Sequence, residues 1–248
     1  MDKKKIVASI EARMSSSRLP GKVLMPINGV PNLSRIVRRL RHSQYINEII
    51  VATSTEKEDD AIEVWSKSEK IYCFRGSLDD VLDRVVCAHE SVKSDTIVEI
   101  TGDMTLVDPQ LIDMGIETYF SNICDVVTNV NPSTFPSGAD IQVFSFDLLK
   151  KVSETISDPA VREHVSLHFY ENPQKFRLIN LIAPKRWKRP DIRFDLDYKE
   201  DLVFLNTIYK NLESKYGDNF GIEEVISFLN ANETLLSINK TCKRKSVR

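Results

Sequence analysis

The sequence predicts an α/β protein built on a doubly wound, mostly parallel sheet. Runs of β-branched residues alternate with amphipathic helical patterns about every 20 to 25 residues over roughly the first 120 positions, which is typical of such sheets. Four polar motifs each follow a predicted strand, and in these sheets ligands bind at the edge where the strands end. The 248 residues, 42% apolar and 28% charged, are enough for one large domain.

The first part of the chain contains four predicted strands and the helices between them. The predicted strands are KKIVASI, NEIIVATS, KIYCFRG and DTIVEITGD. Helical spacing of apolar residues predicts helices in NLSRIVRRLRHS, EDDAIEVWSKS and SLDDVLDRVVCAHESV. The third of these helices opens with a capping signature, Ser77 followed by Asp80. Asp108 before Pro109 predicts the N-cap of a further helix.

The pattern changes after residue 122. Predicted strands CDVVTNV and ADIQVFSF flank the loop NPSTFPSG, and a helix, DPAVREHVSLHFYEN, follows with Asp158 as its N-cap. FRLINLIA and IRFDLDY predict two further strands, and KEDLVFLNTIYKNLESKYG and IEEVISFLNAN predict closing helices. No linker separates independent units, so we predict one domain over 1–248 with halves 1–122 and 123–248.

Charge and cysteine content exclude several classes of protein. The net charge of −2 gives no reason to expect nucleic-acid binding, and the basic tail KTCKRKSVR predicts a frayed end rather than a binding arm. The chain has no apolar run of about 18 residues, so no membrane partner is expected, and Ile6 to Ile10 is too short for a signal-peptide core. Four scattered cysteines lack metal-site or redox spacing and fit a reducing, cytoplasmic location.

The loop after the first strand, EARMSSSRLPGK, has the composition of an anion site. Arg13, Arg18 and Lys22 supply three cations, and small serines leave backbone N–H groups open to phosphate oxygens. A triphosphate carries about four negative charges near neutral pH, so several cations on one loop suit it. The alternative interpretation is a solvated basic surface loop.

Carboxylates follow two other predicted strands. Asp103 ends EITGD and is a candidate ligand for Mg²⁺, with a turn cap as the alternative. Asp195 and Asp197 share one face of the predicted strand IRFDLDY, where two carboxylates repel unless a cation lies near. A metal at Asp197 would relieve that repulsion, and the alternative is that one of the two caps the helix beginning near Lys199.

The motifs together resemble a known family. IEARMSSSRLPGKVL resembles the A-R-x-x-S-x-R-L-P-x-K signature of the sugar-acid cytidylyltransferases, which include CMP-Kdo and CMP-sialic acid synthetases. The chain is more similar still to the spore coat polysaccharide biosynthesis type. The resemblance continues in order through VATSTEKEDDAI, FRGSLDDVLDR, ITGDMTLVDPQLID, FPSGADIQVFSF, DPAVREHV and DLDYKEDL, and so covers nearly the whole chain.

The resemblance implies a nucleotide-diphospho-sugar transferase-like, Rossmann-like fold with a small additional β/α portion for the acceptor. It implies transfer of CMP from CTP to a sugar acid or related acceptor, with Mg²⁺, for surface polysaccharide. It assigns 1–122 to the nucleotide and 123–248 to the acceptor and the completion of the metal site.

The resemblance also implies roles for single residues. The implied catalytic residues are Arg13, Lys22 and Asp103, and the implied metal ligands are Asp103 and Asp197. The implied nucleotide-side residues are Glu11, Ala12, Arg13, Ser17, Arg18, Lys22, Arg75, Asp80, Arg84 and Thr101. The implied acceptor-side residues are Asp140, Arg162, Glu163 and His164, although spacing alone fits a solvated helix start equally well for the last three.

The chain departs from the family pattern at three places. The family usually has Gln at Glu11, Gly at Ser15 and Cys-Pro at Met104-Thr105. A carboxylate at Glu11 would repel a triphosphate if it pointed inward. Two other functions stay open: a sugar-nucleotide-dependent glycosyltransferase, since DLD at 195–197 is formally D-x-D, and a non-catalytic nucleotide-binding protein. Family members are often homodimers, which the sequence neither supports nor excludes.

Overall fold

A computed structural model of the chain describes residues 4–244. Its strands are β1 Ile6–Glu11, β2 Pro26–Ile27, β3 Val30–Pro31, β4 Glu48–Ser54, β5 Tyr72–Gly76, β6 Thr96–Thr101, β7 Val126–Thr128, β8 Gln142–Ser145 and β9 Leu178–Asn180. Its helices are α1 Asn32–Leu40, α2 Asp60–Glu69, α3 Val81–Ser91, α4 Pro109–Ser121, α5 Phe146–Thr155, α6 Pro159–Glu163, α7 Leu167–Glu171, α8 Lys199–Tyr216 and α9 Ile222–Ala231. Between residues 4 and 244, no helix is long and apolar enough to cross a membrane.

Seven strands form one sheet in the order β5-β4-β1-β6-β8-β7-β9. The pairs along β5-β4-β1-β6 are parallel, and β8 runs antiparallel to both of its neighbours. The prediction of a mostly parallel sheet is therefore confirmed. Because β4 and β6 lie on opposite sides of β1, the chain order reverses at β1, and the crevice beyond its carboxyl end is where α/β sheets bind ligands.

Apolar side chains cover both faces of the sheet, as a doubly wound sheet requires. Alternate residues of β1 point to opposite faces, so Ala8 and Ile10 join one core while Val7 joins the other. The first core is completed by α1, α2, α4, α8 and α9, and the second by α3, α5, α6 and α7. The rigid sheet therefore holds the loops at its carboxyl edge from both sides.

The structure differs from the sequence predictions at two predicted elements and adds a helix. IRFDLDY is not a strand but an extended segment whose backbone bonds go to loops: Phe194 N–H donates to Ser137 O at 2.7 Å and Leu196 N–H to Asp103 O at 3.0 Å. The predicted helix after Asp158 breaks into α6 and α7, because Val165 turns into the second core. A helix that the sequence patterns did not indicate, α5, begins directly after β8.

The start of α3 also differs from the predicted one. Ser77 does not cap the helix; its hydroxyl accepts the backbone N–H of Asp80 at 3.0 Å. Asp80 is the N-cap instead, and its side chain accepts the N–H of Asp83. Asp108 and Asp158 do cap α4 and α6, as predicted.

Candidate active site

The loop that follows β1 folds back on itself and delivers Lys22 to the edge of the sheet. The backbone N–H of Met14 donates to Asp59 Oδ1 at 2.7 Å, and that of Gly21 donates to Met14 O at 2.8 Å. Gly21 has a φ of 73°, a left-handed conformation that glycine adopts without steric cost. The chain then enters the 3₁₀ turn Lys22–Leu24. The side chain of Lys22 lies beside Asp103, two residues after β6 ends.

Lys22 lies between two carboxylates that are far apart in the sequence. Its Nζ is 2.8 Å from Asp103 Oδ2 and 2.8 Å from Asp197 Oδ1. Arg18 Nη2 is 2.6 Å from Asp197, and Thr101 Oγ1 donates to Asp103 at 2.5 Å. Burial alone would raise the pKa of Asp103, but Lys22 and Thr101 bring it down to about 2. Of the two residues predicted as metal ligands, Asp197 therefore contacts both Arg18 and Lys22, and Asp103 contacts Lys22.

Close backbone packing explains why Asp103 is fixed at this point. A Cβ on Gly102 would lie 2.9 Å from Glu11 O and 3.1 Å from Val23 Cγ1, so no larger residue fits without movement. Asn32, which is fully buried, donates to Gly102 O at 2.7 Å. The turn after β6 is thus held by β1, the 3₁₀ turn and α1 together.

Two further acids, Glu11 and Glu99, lie near the cation–carboxylate cluster of Arg18, Lys22, Asp103 and Asp197. Glu99 was not predicted. Glu99 is 6% exposed on β6 and accepts a hydrogen bond from Ser166 Oγ. Burial raises the pKa of Glu99 to about 7. Burial and the nearby Glu99 also raise the pKa of Glu11 well above its usual range, and Glu11 Oε1 has no hydrogen-bond partner among residues 4–244. A charged residue inside the apolar run TIVEI was the signal that could have identified Glu99.

Two residues predicted on the acceptor side, Arg162 and Glu163, contact residues predicted on the nucleotide side. Arg162 Nε donates to Asp80 Oδ2 at 2.9 Å, and Arg162 Nη1 donates to Ser153 O at 2.7 Å. Arg13 Nη2 is 3.6 Å from Glu163 Oε1, with both side chains more than a third exposed. His164 ends α6, where its N–H donates to Ala160 O. These contacts connect the loop after β1 and the start of α3 with α6.

A protein-family model described as cytidylyltransferase matches residues 7–233, which is most of the chain and includes every residue of the site except the final segment. The chain belongs to the cytidylyltransferase family. It is a CTP-dependent nucleotidyltransferase with the fold expected from the sequence.

Individual relatives agree with this assignment. The spore coat polysaccharide biosynthesis protein SpsF of Bacillus subtilis is 34% identical over 232 residues, 92% of this chain and 95% of SpsF. A cytidylyltransferase structure from Leptospira borgpetersenii aligns with a TM-score of 0.87 and 26% identity over 98% of this chain and 99% of that one. A CMP-Kdo synthetase solved with CTP aligns with a TM-score of 0.62 and 19% identity over 84% and 99% of the chains, which shows a shared fold.

Two predicted nucleotide-side arginines of this cytidylyltransferase are bound to its own framework. Arg75 Nη1 is 2.6 Å from Asp60 and 2.9 Å from Glu63, so it joins β5 to α2. Arg84 is 2% exposed and donates to the carbonyl oxygens of Ser77 and Leu78. In this arrangement the guanidinium of Arg84 holds the residues before α3 and that of Arg75 holds α2, and the contact of either with a nucleotide stays a prediction.

The remaining nucleotide-side positions differ in exposure. Ala12 is 3% exposed and its N–H donates to Ala52 O at 3.2 Å, whereas Ser17 is exposed on the loop. Of the departures from the family pattern, Ser15 is exposed, and Met104 is 2% exposed within the core. Glu11 is therefore the departure whose carboxyl group is buried behind the cation–carboxylate cluster.

Arg193 bridges the two carboxylates of the D-x-D motif, and each of them also contacts cations that the other does not. Asp197 lies with Arg18 and the loop lysine, whereas Asp195 lies 3.2 Å from Arg193 Nη1. Arg193 Nη2 is 2.5 Å from Asp197 and so relieves the predicted repulsion between the two acids. Neither acid caps α8; Asp201 accepts the N–H groups of Asp197 and Tyr198 at 3.0 Å.

The final part of the chain, predicted as a frayed end, is docked at the site as far as the structure describes it. Arg244 Nη2 is 2.5 Å from Asp140 Oδ2 and 2.8 Å from Asp195 Oδ1. Arg18 Nη1 donates to Lys243 O at 3.5 Å. Residues 245–248, which also belong to the predicted tail, lie outside the described part of the chain.

Proposed function

We propose that this cytidylyltransferase transfers CMP from CTP to a sugar acid or a related hydroxyl-bearing acceptor and releases pyrophosphate. The observation that carries the proposal is Lys22 between Asp103 and Asp197, with Arg18 beside it, at the carboxyl edge of β1 and β6. The names of the relatives, SpsF and CMP-Kdo synthetase, support a role in surface polysaccharide biosynthesis. We also propose a cytoplasmic location, because all four cysteines are free thiols.

The nucleotide would bind in the half formed by residues 1–122. Arg13, Arg18 and Lys22 lie on one loop, and their charges suit the phosphates of CTP. Each of them now pairs with a carboxylate of the protein, at 2.6 to 3.6 Å. Binding of CTP would therefore exchange protein carboxylates for phosphate oxygens, which is favourable only if those carboxylates receive another cation.

Mg²⁺ is the cation that the donor atoms fit. Between residues 4 and 244 no three His, Cys, Asp or Glu side chains form a complete metal cage, but Mg²⁺ usually takes one or two carboxylates together with substrate phosphates. Asp103, with a pKa of about 2, is ionised at neutral pH, and Lys22 now occupies the position of a cation between it and Asp197. Asp103 and Asp197 would hold Mg²⁺, which when bound neutralises charge on the phosphates during transfer.

The chemical step is an in-line displacement at the α-phosphorus. The acceptor oxygen forms a bond to that phosphorus, and the bond from it to the bridging oxygen breaks, so pyrophosphate leaves with the electron pair. The proton of the acceptor hydroxyl passes to a carboxylate, for which Asp140 is the candidate. Lys22 and Arg13 stabilise the negative charge that develops on the phosphates. The acceptor would bind in the half formed by 123–248, near Asp140, Arg162, Glu163 and His164.

The test measures pyrophosphate release with Mg²⁺, first choosing the nucleoside triphosphate by thermal shift and then testing sugar acids. We expect CTP to be preferred, and Asp103→Asn and Asp197→Asn each to lower turnover at least about a hundredfold while the protein stays folded. Asp191→Asn is the matched control, because Asp191 is 60% exposed and pairs with Arg189 outside the cluster.

Three results would contradict the proposal. Near-normal turnover of either variant would remove that residue from the metal site. CTP binding without pyrophosphate release for any acceptor would indicate a non-catalytic nucleotide-binding protein. Sugar transfer from a nucleotide sugar without CTP would indicate a glycosyltransferase activity.

A further inference from the structure

The segment Ile238–Arg244 returns from the closing helices to the active site and is anchored there. Asn239, which is 5% exposed, donates from Nδ2 to Arg193 O at 3.1 Å and to Asp201 Oδ1 at 2.9 Å. The two partners lie on either side of Asp197, Arg193 before it and Asp201 in α8. A buried amide with two partners fixes the path of the residues that follow.

Beyond Asn239 the segment contacts both sides of the site. Its carbonyl oxygen at Lys243 accepts hydrogen bonds from Arg18 Nη1 at 3.5 Å and from Tyr198 Oη at 3.3 Å. The guanidinium of Arg244 bonds to Asp140 and to Asp195, with Nη2 contacts of 2.5 and 2.8 Å and an Nε contact of 3.3 Å to Asp195. The segment is therefore joined to the triphosphate cations and to the acceptor-side carboxylates.

The two carboxylates that Arg244 joins are brought together by the backbone. The loop Ser137–Asp140 packs on the extended segment Ile192–Asp197 through the hydrogen bonds Ser137 N–H to Ile192 O, 2.9 Å, and Phe194 N–H to Ser137 O, 2.7 Å. Asp140 and Asp195 therefore face each other, and like charges repel at short range. Arg193 pairs with Asp195, but among residues 4–244 the ion pair of Asp140 is with Arg244.

We infer that Arg244 is a positioning residue of the active site, which acts by holding Asp140 toward the acceptor. The planar guanidinium of Arg244 bonds to two carboxylates at once, through Nη2 to Asp140 and through Nη2 and Nε to Asp195. Loss of Arg244 would leave Asp140 and Asp195 repelling each other and would release the Ser137–Asp140 loop. This inference rests on the proposed function in one respect, that Asp140 faces the acceptor.

The test compares Arg244→Ala and Arg244→Lys with Lys243→Ala, the matched control. Lys243 contacts the site through its carbonyl oxygen, which alanine retains. With the acceptor found in the pyrophosphate assay, we expect Arg244→Ala to raise the KM for the acceptor about tenfold, with the KM for CTP changed less than about twofold. Arg244→Lys should raise the KM for the acceptor less than Arg244→Ala does. An ammonium keeps the positive charge but cannot bond to both carboxylates with the fixed geometry of a guanidinium.

Two further measurements separate positioning from a general loss of structure. Hydrogen exchange should become faster at Ser137 and Phe194 in Arg244→Ala and stay unchanged around Lys22. In Asp140→Asn, which would also slow turnover, adding Arg244→Ala should have little further effect on the Kd of the acceptor in an equilibrium binding measurement, since both substitutions act through one carboxylate.

The outcomes distinguish this inference from the proposed function. If the wild type releases no pyrophosphate with any acceptor, the proposed function fails, and hydrogen exchange alone decides whether Arg244 holds the loop. If exchange in Arg244→Ala matches Lys243→Ala, the inference is wrong whatever the acceptor. If exchange changes but the KM for the acceptor does not, Arg244 has only a structural role, and the inference is also wrong.

Discussion

At the scale of single residues, the contacts of Lys22 fit the phosphate-binding role proposed for it. Its Nζ is shared between Asp103 and Asp197 at 2.8 Å each. Burial alone would lower the pKa of Lys22, but the two carboxylates raise it, so the side chain stays charged. A metal that binds the carboxylates would release a charged ammonium toward the phosphates. The proposal thus gives Lys22, Asp103 and Asp197 one set of contacts within the protein and another with the substrate.

Glu99 differs from Asp103 and Asp197, because it forms no ion pair among residues 4–244. Its effect on the free energy of unfolding therefore depends on pH. Its pKa rises from 4.5 to about 7 through burial. The folded chain therefore binds this proton more tightly than the unfolded chain does, and folding loses stability as pH rises from about 5 to about 8. Buried His89, with a pKa lowered to about 3, has the opposite sign, since stability falls as pH drops below about 6.5.

We expect Glu99→Gln to remove the part of the alkaline stability loss that Glu99 contributes, while keeping an acceptor for the Ser166 hydroxyl. Relative to the wild type, the variant should gain up to roughly 3 kcal/mol of unfolding free energy between pH 5 and pH 8. Urea unfolding across this range measures the difference, in which the contribution of His89 cancels. Glu90→Gln is the control, because Glu90 is 56% exposed and its slope with pH should match the wild type. Parallel wild-type and Glu99→Gln curves would show that Glu99 is not protonated in the folded state.

At the scale of elements, hydrophobic periodicity predicted the long strands and the helices of the first half, because those strands are buried on both faces and each helix buries one apolar face, whereas the short strands β2 and β3 were not predicted. The same reasoning failed where polar contacts decide. IRFDLDY alternates like a strand, but its backbone bonds to Ser137 and Asp103 of two loops. The helix α5 follows β8 without a turn, so the strand pattern concealed it, although Ser145 before Leu148 was a readable N-cap.

The site itself was predictable where it is local and not where it depends on packing. Arg18, Lys22 and Asp103 follow strands whose ends must share one edge of the sheet, so the sequence predicts their proximity. The partners of a long side chain cannot be read from spacing, so the sequence did not predict that Arg84 bonds to the carbonyl oxygens before its own helix; its contact with a nucleotide stays a prediction. Arg244 follows a helix and a basic run, and nothing in its surroundings indicates a return to the site.

The turn at Gly138 is where one element sets the position of another. Gly138 has a φ of +87°, and a Cβ there would lie 2.7 Å from Asp195 N. We expect Gly138→Ala to displace the Ile192–Asp197 segment, which carries Asp197, and to lower pyrophosphate release at least about tenfold. Gly29→Ala is a matched control, because Gly29 has a φ of +78° but nothing within 4 Å of the added Cβ.

Both alanine variants should lose about 1–2 kcal/mol of stability from placing a side chain in the left-handed region, and Gly138→Ala should lose more because its Cβ also meets the backbone of Asp195. Only Gly138→Ala should lose turnover beyond that expected from its stability. Equal turnover of the two variants, measured well below their unfolding temperatures, would mean that the Gly138 turn does not set the geometry of the site.

At the scale of the whole molecule, two buried arginines of α1 join the first half of the chain to the last helices. Arg39 is 0% exposed and donates to Val107 O, Asp218 O and Phe220 O at 2.7 to 3.0 Å. Arg35, equally buried, donates to Ile27 O and pairs with Glu213 and Asp218. Carbonyl groups that depend on a distant guanidinium lose their partners if either half opens alone.

This packing predicts that residues 1–122 and 123–248 unfold together, as one domain. The two tryptophans report on the two halves: Trp65 donates to Ser34 Oγ at 2.8 Å, and the ring of Trp187 lies 6.4 Å from that of Phe135. We expect Trp65→Phe and Trp187→Phe each to give one urea transition in fluorescence that coincides with the same variant's far-UV circular dichroism. Comparing the two probes within one variant controls for the cost of the substitution. A fluorescence transition that precedes loss of secondary structure in one variant alone would show that the half with the remaining tryptophan opens independently. The buried arginines would then not couple residues 1–122 to residues 123–248.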